Sequence, residues 1–168
     1  TEKREHWGSF FTVISGGEPF LWKDGDRGFL DIVEKHSSEF FMSYTNGTLL
    51  DEKTVARMAR IGNIAPAISV EGFRKETDER RGKGVFDRVL KTFDLLRTYG
   101  VPFGISATPT KLNWDVISSD EFADFYFTEQ GAIFGWSFQY MPVGRGQSVD
   151  LMVPPAERVE MLRRLQHL

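Results

Sequence analysis

Five apolar runs, each followed by an amphipathic stretch, constrain this 168-residue chain more than any other feature. The runs are Phe10–Ile14, Phe40–Tyr44, Ile64–Val70, Phe103–Ala107 and Ile133–Tyr140. They are mostly continuous rather than alternating, the pattern of strands covered on both faces. Helical spacing follows each run. Phe29, Ile32 and Val33 mark the first helix, near Phe29–Lys35. Val55, Met58 and Ala59 mark the second, between an N-cap at Asp51 and a stop at Gly62. Phe86, Val89, Leu90, Phe93 and Leu96 share one face of the third, which ends at Gly100. Ser118 and Glu121 stand in capping-box spacing before Phe122, Phe125 and Tyr126. Pro154-Pro155 opens the last helix, with Val159, Leu162 and Leu165. This (βα)₅ pattern predicts a parallel sheet with right-handed crossovers. Five strands are too few to close an ordinary barrel. An open parallel sheet or an incomplete barrel is left.

Composition narrows the function classes. Hydrophobic residues make up 40% of the chain, including 15 Phe, enough for a substantial core. No linker or low-complexity stretch divides residues 1–168, so one domain is expected. The net charge of −3, with mixed signs, argues against a nucleic-acid footprint or an anionic membrane surface. No apolar run approaches the roughly 20 residues of a membrane span. The polar start Thr1–His6 does not resemble a secretory signal, and a cytoplasmic chain is expected. A start without Met suggests that the sequence begins inside a longer protein. There is no cysteine, which excludes disulfides, thiolate nucleophiles and cysteine-held metal within these residues. His6, His36 and His167 are scattered, so surface roles are expected and no metal site.

Polar and small residues collect where the runs end. Ser15-Gly16-Gly17-Glu18-Pro19 follows the first, and Thr45-Asn46-Gly47-Thr48 the second. Ser69, Glu71 and Gly72 follow the third; Ser106, Thr108, Thr110 and Asn113 belong to the fourth; Gln139 to Gly146 closes the fifth. Paired glycines let the backbone bend and a ligand approach, Glu18 adds an acceptor, and Pro19 prevents continuation of the sheet. Each segment also has a plain structural reading. Asn46-Gly47 is a common turn dipeptide, Ser and Thr cap helices, and Glu71 can be simply solvated. On a parallel sheet, however, all five ends fall on one face, where α/β proteins bind ligands. The stretch Asp78 to Phe86 reads as a loop before the third helix. Its arginines either grip a carboxylate or belong to a solvated loop. No Walker phosphate loop is present.

Together these segments resemble the radical S-adenosylmethionine (radical SAM) enzymes over nearly the whole chain, from about Phe10 to Gly146. Gly16-Gly17-Glu18-Pro19 matches the family's Gly-Gly-Glu-Pro after the second barrel strand. Tyr44 to Leu50 is similar to its Thr-Asn-Gly element. Ile68-Ser69-Val70-Glu71-Gly72 resembles Ser-x-Asp-Gly, and Asp78 to Phe86 the downstream Arg and Gly-x-Gly-Thr-Phe. Phe138 to Arg145 resembles the sixth-strand exit. Glu71 stands where Asp is usual, and Val85 where Thr is usual.

The resemblance implies a partial (βα)₆ TIM-type barrel of which this chain supplies five units, with the first strand missing. It implies SAM and a 4Fe–4S cluster as cofactors, a 5′-deoxyadenosyl radical that abstracts a substrate hydrogen, and an electron donor such as flavodoxin or ferredoxin. The substrate is expected to be a peptide or protein. By the same resemblance Gly16, Gly17, Glu18 and Pro19 would meet the methionine ammonium, with Thr45 and Asn46 beside them. Ser69 and Arg81, with Arg80 as a near alternative, would hold the carboxylate or ribose. Ser106 lies on the same face, and Gln139 to Pro142 would flank the adenine. The family's Cys-x3-Cys-x2-Cys loop, which ligates the cluster, is missing, and is expected upstream of Thr1. The competing expectation is a non-catalytic half-barrel that binds or scaffolds.

Overall fold

The structure, a computed structural model, describes residues 6–143 and 148–167. Five strands form one parallel sheet: β1 (Phe11–Ile14), β4 (Phe40–Thr45), β5 (Ile64–Val70), β6 (Gly104–Ala107) and β7 (Gly135–Ser137). Two further strands, β2 (Lys23–Asp24) and β3 (Arg27–Gly28), make a small antiparallel hairpin around Gly25 that the apolar runs do not reveal. The helices are α1 (Phe29–Lys35), α2 (Glu52–Ile61), α3 (Arg74–Arg81), α4 (Val85–Thr98), α5 (Trp114–Ile117), α6 (Asp120–Ala123) and α7 (Pro155–Leu165).

Strand order decides between the two architectures left open above. The order β1-β4-β5-β6-β7 follows the chain without reversal. A doubly wound sheet reverses once and so places helices on both faces. Crossovers of one hand and one direction stack helices on a single face. Alternate residues confirm it. Phe41, Ile64, Ile68, Val70, Ile105 and Ala107 share one core with Val55 and Met58 of α2 and Val89, Phe93 and Leu96 of α4. The opposite residues, including Met42, Tyr44, Ala65, Ala67, Ser69, Gly104, Ser106 and Trp136, line the concave side; register pairs Met42 with Ala65, Tyr44 with Ala67, Ser69 with Ser106 and Ser106 with Trp136. Small residues on the middle strands leave room on that side. The Phe134 ring takes up part of it, lying 2.3 Å from where a Cβ on Gly104 would stand.

Local signals explain most boundaries. The Asp51 carboxylate accepts from the Thr54 amide at 2.8 Å, and Gly62 closes α2 in the left-handed region at φ 75°. Three expectations are corrected. The fifth run pairs as strand only over Gly135–Ser137, because among the described residues β7 is an edge strand paired with β6 alone, which is itself short. Ser119 rather than Ser118 caps the fourth helical region: its Oγ accepts from the Phe122 amide at 3.1 Å, while Ser118 Oγ turns back to the Trp114 carbonyl. That region is also broken into α5, α6 and a π-helical turn, Asp124–Glu129, with Phe122 and Tyr126 both in the core. Finally, the stretch read as a loop from Asp78 is helical as far as Arg81. Its single buried residue, Thr77, leaves no apolar stripe for periodicity to detect.

No helix among the described residues is long and apolar enough to cross a membrane.

Candidate cofactor-binding rim

Each strand delivers its polar exit to the same rim, and the exits of β1 and β4 are fastened by one side chain. Gly16 and Gly17 turn the chain at φ 100° and 48°, with open space where a side chain would stand. The turn aims Glu18 back across the sheet. Its Oε1 accepts from the Thr45 hydroxyl at 2.7 Å and its Oε2 from the Asn46 amide at 2.9 Å. The same carboxylate caps the 3₁₀ turn Pro19–Leu21, in which Pro19 is buried. Thr45 Oγ1 accepts in turn from the Gly47 amide, and the Gly47 carbonyl accepts from Thr92 Oγ1 of α4. Gly16, Gly17, Glu18, Pro19, Thr45 and Asn46 are therefore one unit, with Glu18 half-buried and held at a fixed angle. A carboxylate has about four acceptor sites, so capacity remains for a ligand's N–H.

The second cluster forms at the exits of β5 and β6. Ser69 and Ser106, side by side in register, bring their hydroxyls within 3.3 Å. Beyond Ser69 the chain turns inward, and Glu71 is fully buried, which overturns the solvated reading. Its Oε1 accepts from Arg81 Nε at 2.9 Å and from Arg81 Nη2; its Oε2 accepts from Arg80 Nη1. Asn113 Nδ2 donates to the Glu71 carbonyl at 2.7 Å, while its Oδ1 accepts from the Thr110 amide and hydroxyl. Tyr126, buried in the core, donates its hydroxyl to the Gly72 carbonyl at 2.5 Å, and burial pushes that hydroxyl's pKa well above the ordinary tyrosine value. Two guanidiniums thus share one carboxylate. Arg80 and Arg81 remain partly accessible, with side chains 40% and 27% exposed.

Asp78 shapes the loop that follows. Its carboxylate accepts from the Phe86 and Gly84 amides, both at 2.9 Å, and these bonds hold its pKa below the ordinary value. The remaining sequence-predicted residues lie at the fifth exit. Gln139 meets Arg158 of α7, its amide oxygen 2.6 Å from Nε. Pro142 is half-buried, while Gly144 to Gly146 fall outside the described residues. The pairing of Glu71 with Arg80 and Arg81 is what sequence reasoning missed. Its signal was a carboxylate at a strand end followed by two consecutive arginines within one helical turn-back. Chemically, the rim sets a fixed acceptor carboxylate at one side and a fixed cation at the other. That pairing suits a zwitterionic amino-acid group.

The comparison with known proteins decides the family. Residues 1–123 match the radical SAM superfamily. This chain belongs to that superfamily. It is 31% identical over 148 residues to the AdoMet-dependent heme synthase of Methanosarcina barkeri, covering 84% of this chain and 40% of that protein. It is 30% identical over 109 residues to the sporulation killing factor maturation protein SkfB of Bacillus subtilis, covering 63% of this chain and 26% of that protein. Its fold matches Streptococcus suis SuiB, solved bound to S-adenosylmethionine, at a TM-score of 0.76 and 24% identity, over 93% of this chain and 36% of that one. The chain thus spans well under half the length of these proteins. The radical SAM fold of five parallel strands in a curled half-barrel is the incomplete barrel read from strand order above. The superfamily is enzymatic and uses SAM with a 4Fe–4S cluster. The two cofactors fare differently against these residues. The rim's carboxylate and cation, with open backbone at Gly16 and Gly17, fit SAM. The cluster does not fit: the 168 residues include no cysteine, and the described residues hold no grouping of three His, Asp or Glu able to bind a metal.

Proposed function

We propose that this rim is the SAM-binding site of a radical SAM enzyme, residues 1–168 acting as one unit. The observation that carries the proposal is Glu18, anchored to Thr45 and Asn46 beside a glycine pair free of obstruction. In this reading the Gly16-Gly17 backbone and Glu18, positioned by Pro19, Thr45 and Asn46, receive the methionine ammonium. Arg81 takes its carboxylate, Ser69 and Ser106 offer hydroxyls to the ribose, and Gln139 and Pro142 flank the adenine. SAM bound there would supply hydrogen-atom abstraction through its 5′-deoxyadenosyl group, which one-electron reduction from the cluster would free by breaking the C5′–S bond, methionine leaving. The cluster's ligands are residues other than these, and the electron comes from a flavodoxin- or ferredoxin-type donor. The chain's own part is to bind, to orient and to keep water from the concave side.

For the substrate we favour a peptide or protein. SkfB is a maturation protein, and SuiB has also been solved bound to its precursor peptide SuiA, with a TM-score of 0.76 to this chain. A tetrapyrrole is the second reading. The heme synthase likeness favours it, as does the concave aromatic group in which Trp136 stacks on Phe138 and Phe138 meets Tyr44 edge-on.

Isothermal titration of the intact protein with SAM tests the site. Glu18→Gln keeps the size of the side chain but removes the charge facing the ammonium and turns one of its two acceptor oxygens into a donor. It is expected to weaken SAM about ten-fold or more, the scale of a charge-assisted hydrogen bond. Unchanged affinity in both Glu18→Gln and Arg81→Ala would leave the non-catalytic half-barrel as the better account.

A further inference from the structure

We propose that Glu71 is a positioning residue whose buried carboxylate fixes the Arg81 guanidinium, with Arg80 beside it, as a preset cation for the carboxylate of SAM. The proposal rests on the SAM reading above and adds a residue that touches no ligand in it. The argument begins with burial. Glu71 is fully enclosed, and an enclosed carboxylate is tolerated only when it is paired and hydrogen-bonded. Three guanidinium N–H groups meet it, two from Arg81 and one from Arg80. Its backbone is equally tied down, with the carbonyl held by Asn113 and the amide directed at Thr77 Oγ1. The carboxylate is therefore an anchor without freedom of its own.

The consequence falls on the arginines. A free arginine loses rotamer entropy when it grips a ligand, whereas one already held by a buried partner has little left to lose. Arg81 spends Nε and Nη2 on Glu71, which leaves Nη1 uncommitted among the described residues. Arg80 also donates to the Thr108 carbonyl at 3.3 Å, so its position is fixed from both β5 and β6. Glu71 and the two guanidiniums it holds carry a charge of +1 as a trio. The reach of glutamate matters here. Its extra methylene carries the carboxylate further from the backbone than an aspartate would, out to where both guanidiniums meet it.

The test is titration of the intact, cluster-reconstituted protein with two ligands, SAM and decarboxylated SAM. Glu71→Gln is expected to weaken SAM about ten-fold or more while leaving decarboxylated SAM unchanged, since that ligand has no carboxylate to grip. The double variant Glu71→Gln/Arg81→Ala is expected to bind SAM no worse than Arg81→Ala alone, because the two residues act as one. Equal weakening toward both ligands overturns the proposal and leaves Glu71 a merely structural residue. Wild-type SAM affinity in Glu71→Gln also overturns it, while leaving the SAM reading intact if Arg81→Ala still binds poorly. If Arg81→Ala and Glu18→Gln both bind SAM normally, the SAM reading itself falls. Should Glu71→Gln not fold, Glu71→Asp carries the same comparison, with selective loss of SAM expected and equal loss decisive against.

Discussion

At the scale of single residues, the rim is held by groups that have no spare partner. Tyr126 is the clearest case: its hydroxyl bonds the Gly72 carbonyl inside the core, next to the turn that buries Glu71. Tyr126→Phe keeps the ring packing and leaves that carbonyl unsatisfied. We expect a loss of about 1–2 kcal/mol in denaturant unfolding with an unchanged slope. Gly104 is constrained by space rather than by conformation. A Cβ there would lie 2.3 Å from the Phe134 ring and 2.5 Å from the Phe134 carbonyl oxygen. Gly104→Ala therefore pushes β6 and the segment entering β7 apart. It is expected to cost about 1–3 kcal/mol by the same measurement, the range for an overfilled core. Residues of this kind were only partly legible. Glu18 stands out in sequence because glycines and a proline frame it, whereas Glu71 looks like any polar residue after a strand until its partners are in place.

At the scale of elements, α4 depends on an acid that belongs to another helix. Asp78, in α3, caps the α4 entrance through the Gly84 and Phe86 amides. Those bonds depress its pKa in the folded state. A depressed carboxyl stabilises the fold above its unfolded pKa, about 3.9, and that contribution disappears as pH falls through the lower folded value. Wild type is therefore expected to melt higher than Asp78→Asn at neutral pH. The gap should close in the acid range below pH ~4, and a gap independent of pH would contradict the linkage. Among the elements themselves, β5 lies where its apolar run places it, and α2 begins and ends at its capping residues. The helix α3 was hidden because all eight of its residues are polar or charged, with no apolar face, and only Thr77 is buried. The fifth run promised a longer strand than β7 delivers, because strand length depends on the partner as much as on propensity.

At the scale of the whole molecule, the half-barrel leaves apolar surface open along its first strand. Among the described residues β1 pairs on one side only, with β4, and Phe11 and Val13 are 42% and 44% exposed. Phe10 is more exposed still. An unpaired edge with apolar side chains invites association. We expect these 168 residues, prepared alone, to self-associate in light scattering; a stable monomer at high concentration would count against an open edge. The order and kind of the main elements, and the gathering of polar residues at strand ends, follow from the sequence by itself. Hydrophobic period, caps and turn residues act over a few positions and leave their mark there. Tertiary structure alone decided that the sheet curls with its helices on one face, since that depends on which strands become neighbours. It alone also buried Glu71 between Arg80 and Arg81, because β5 and the end of α3 meet only once the chain has folded back on itself.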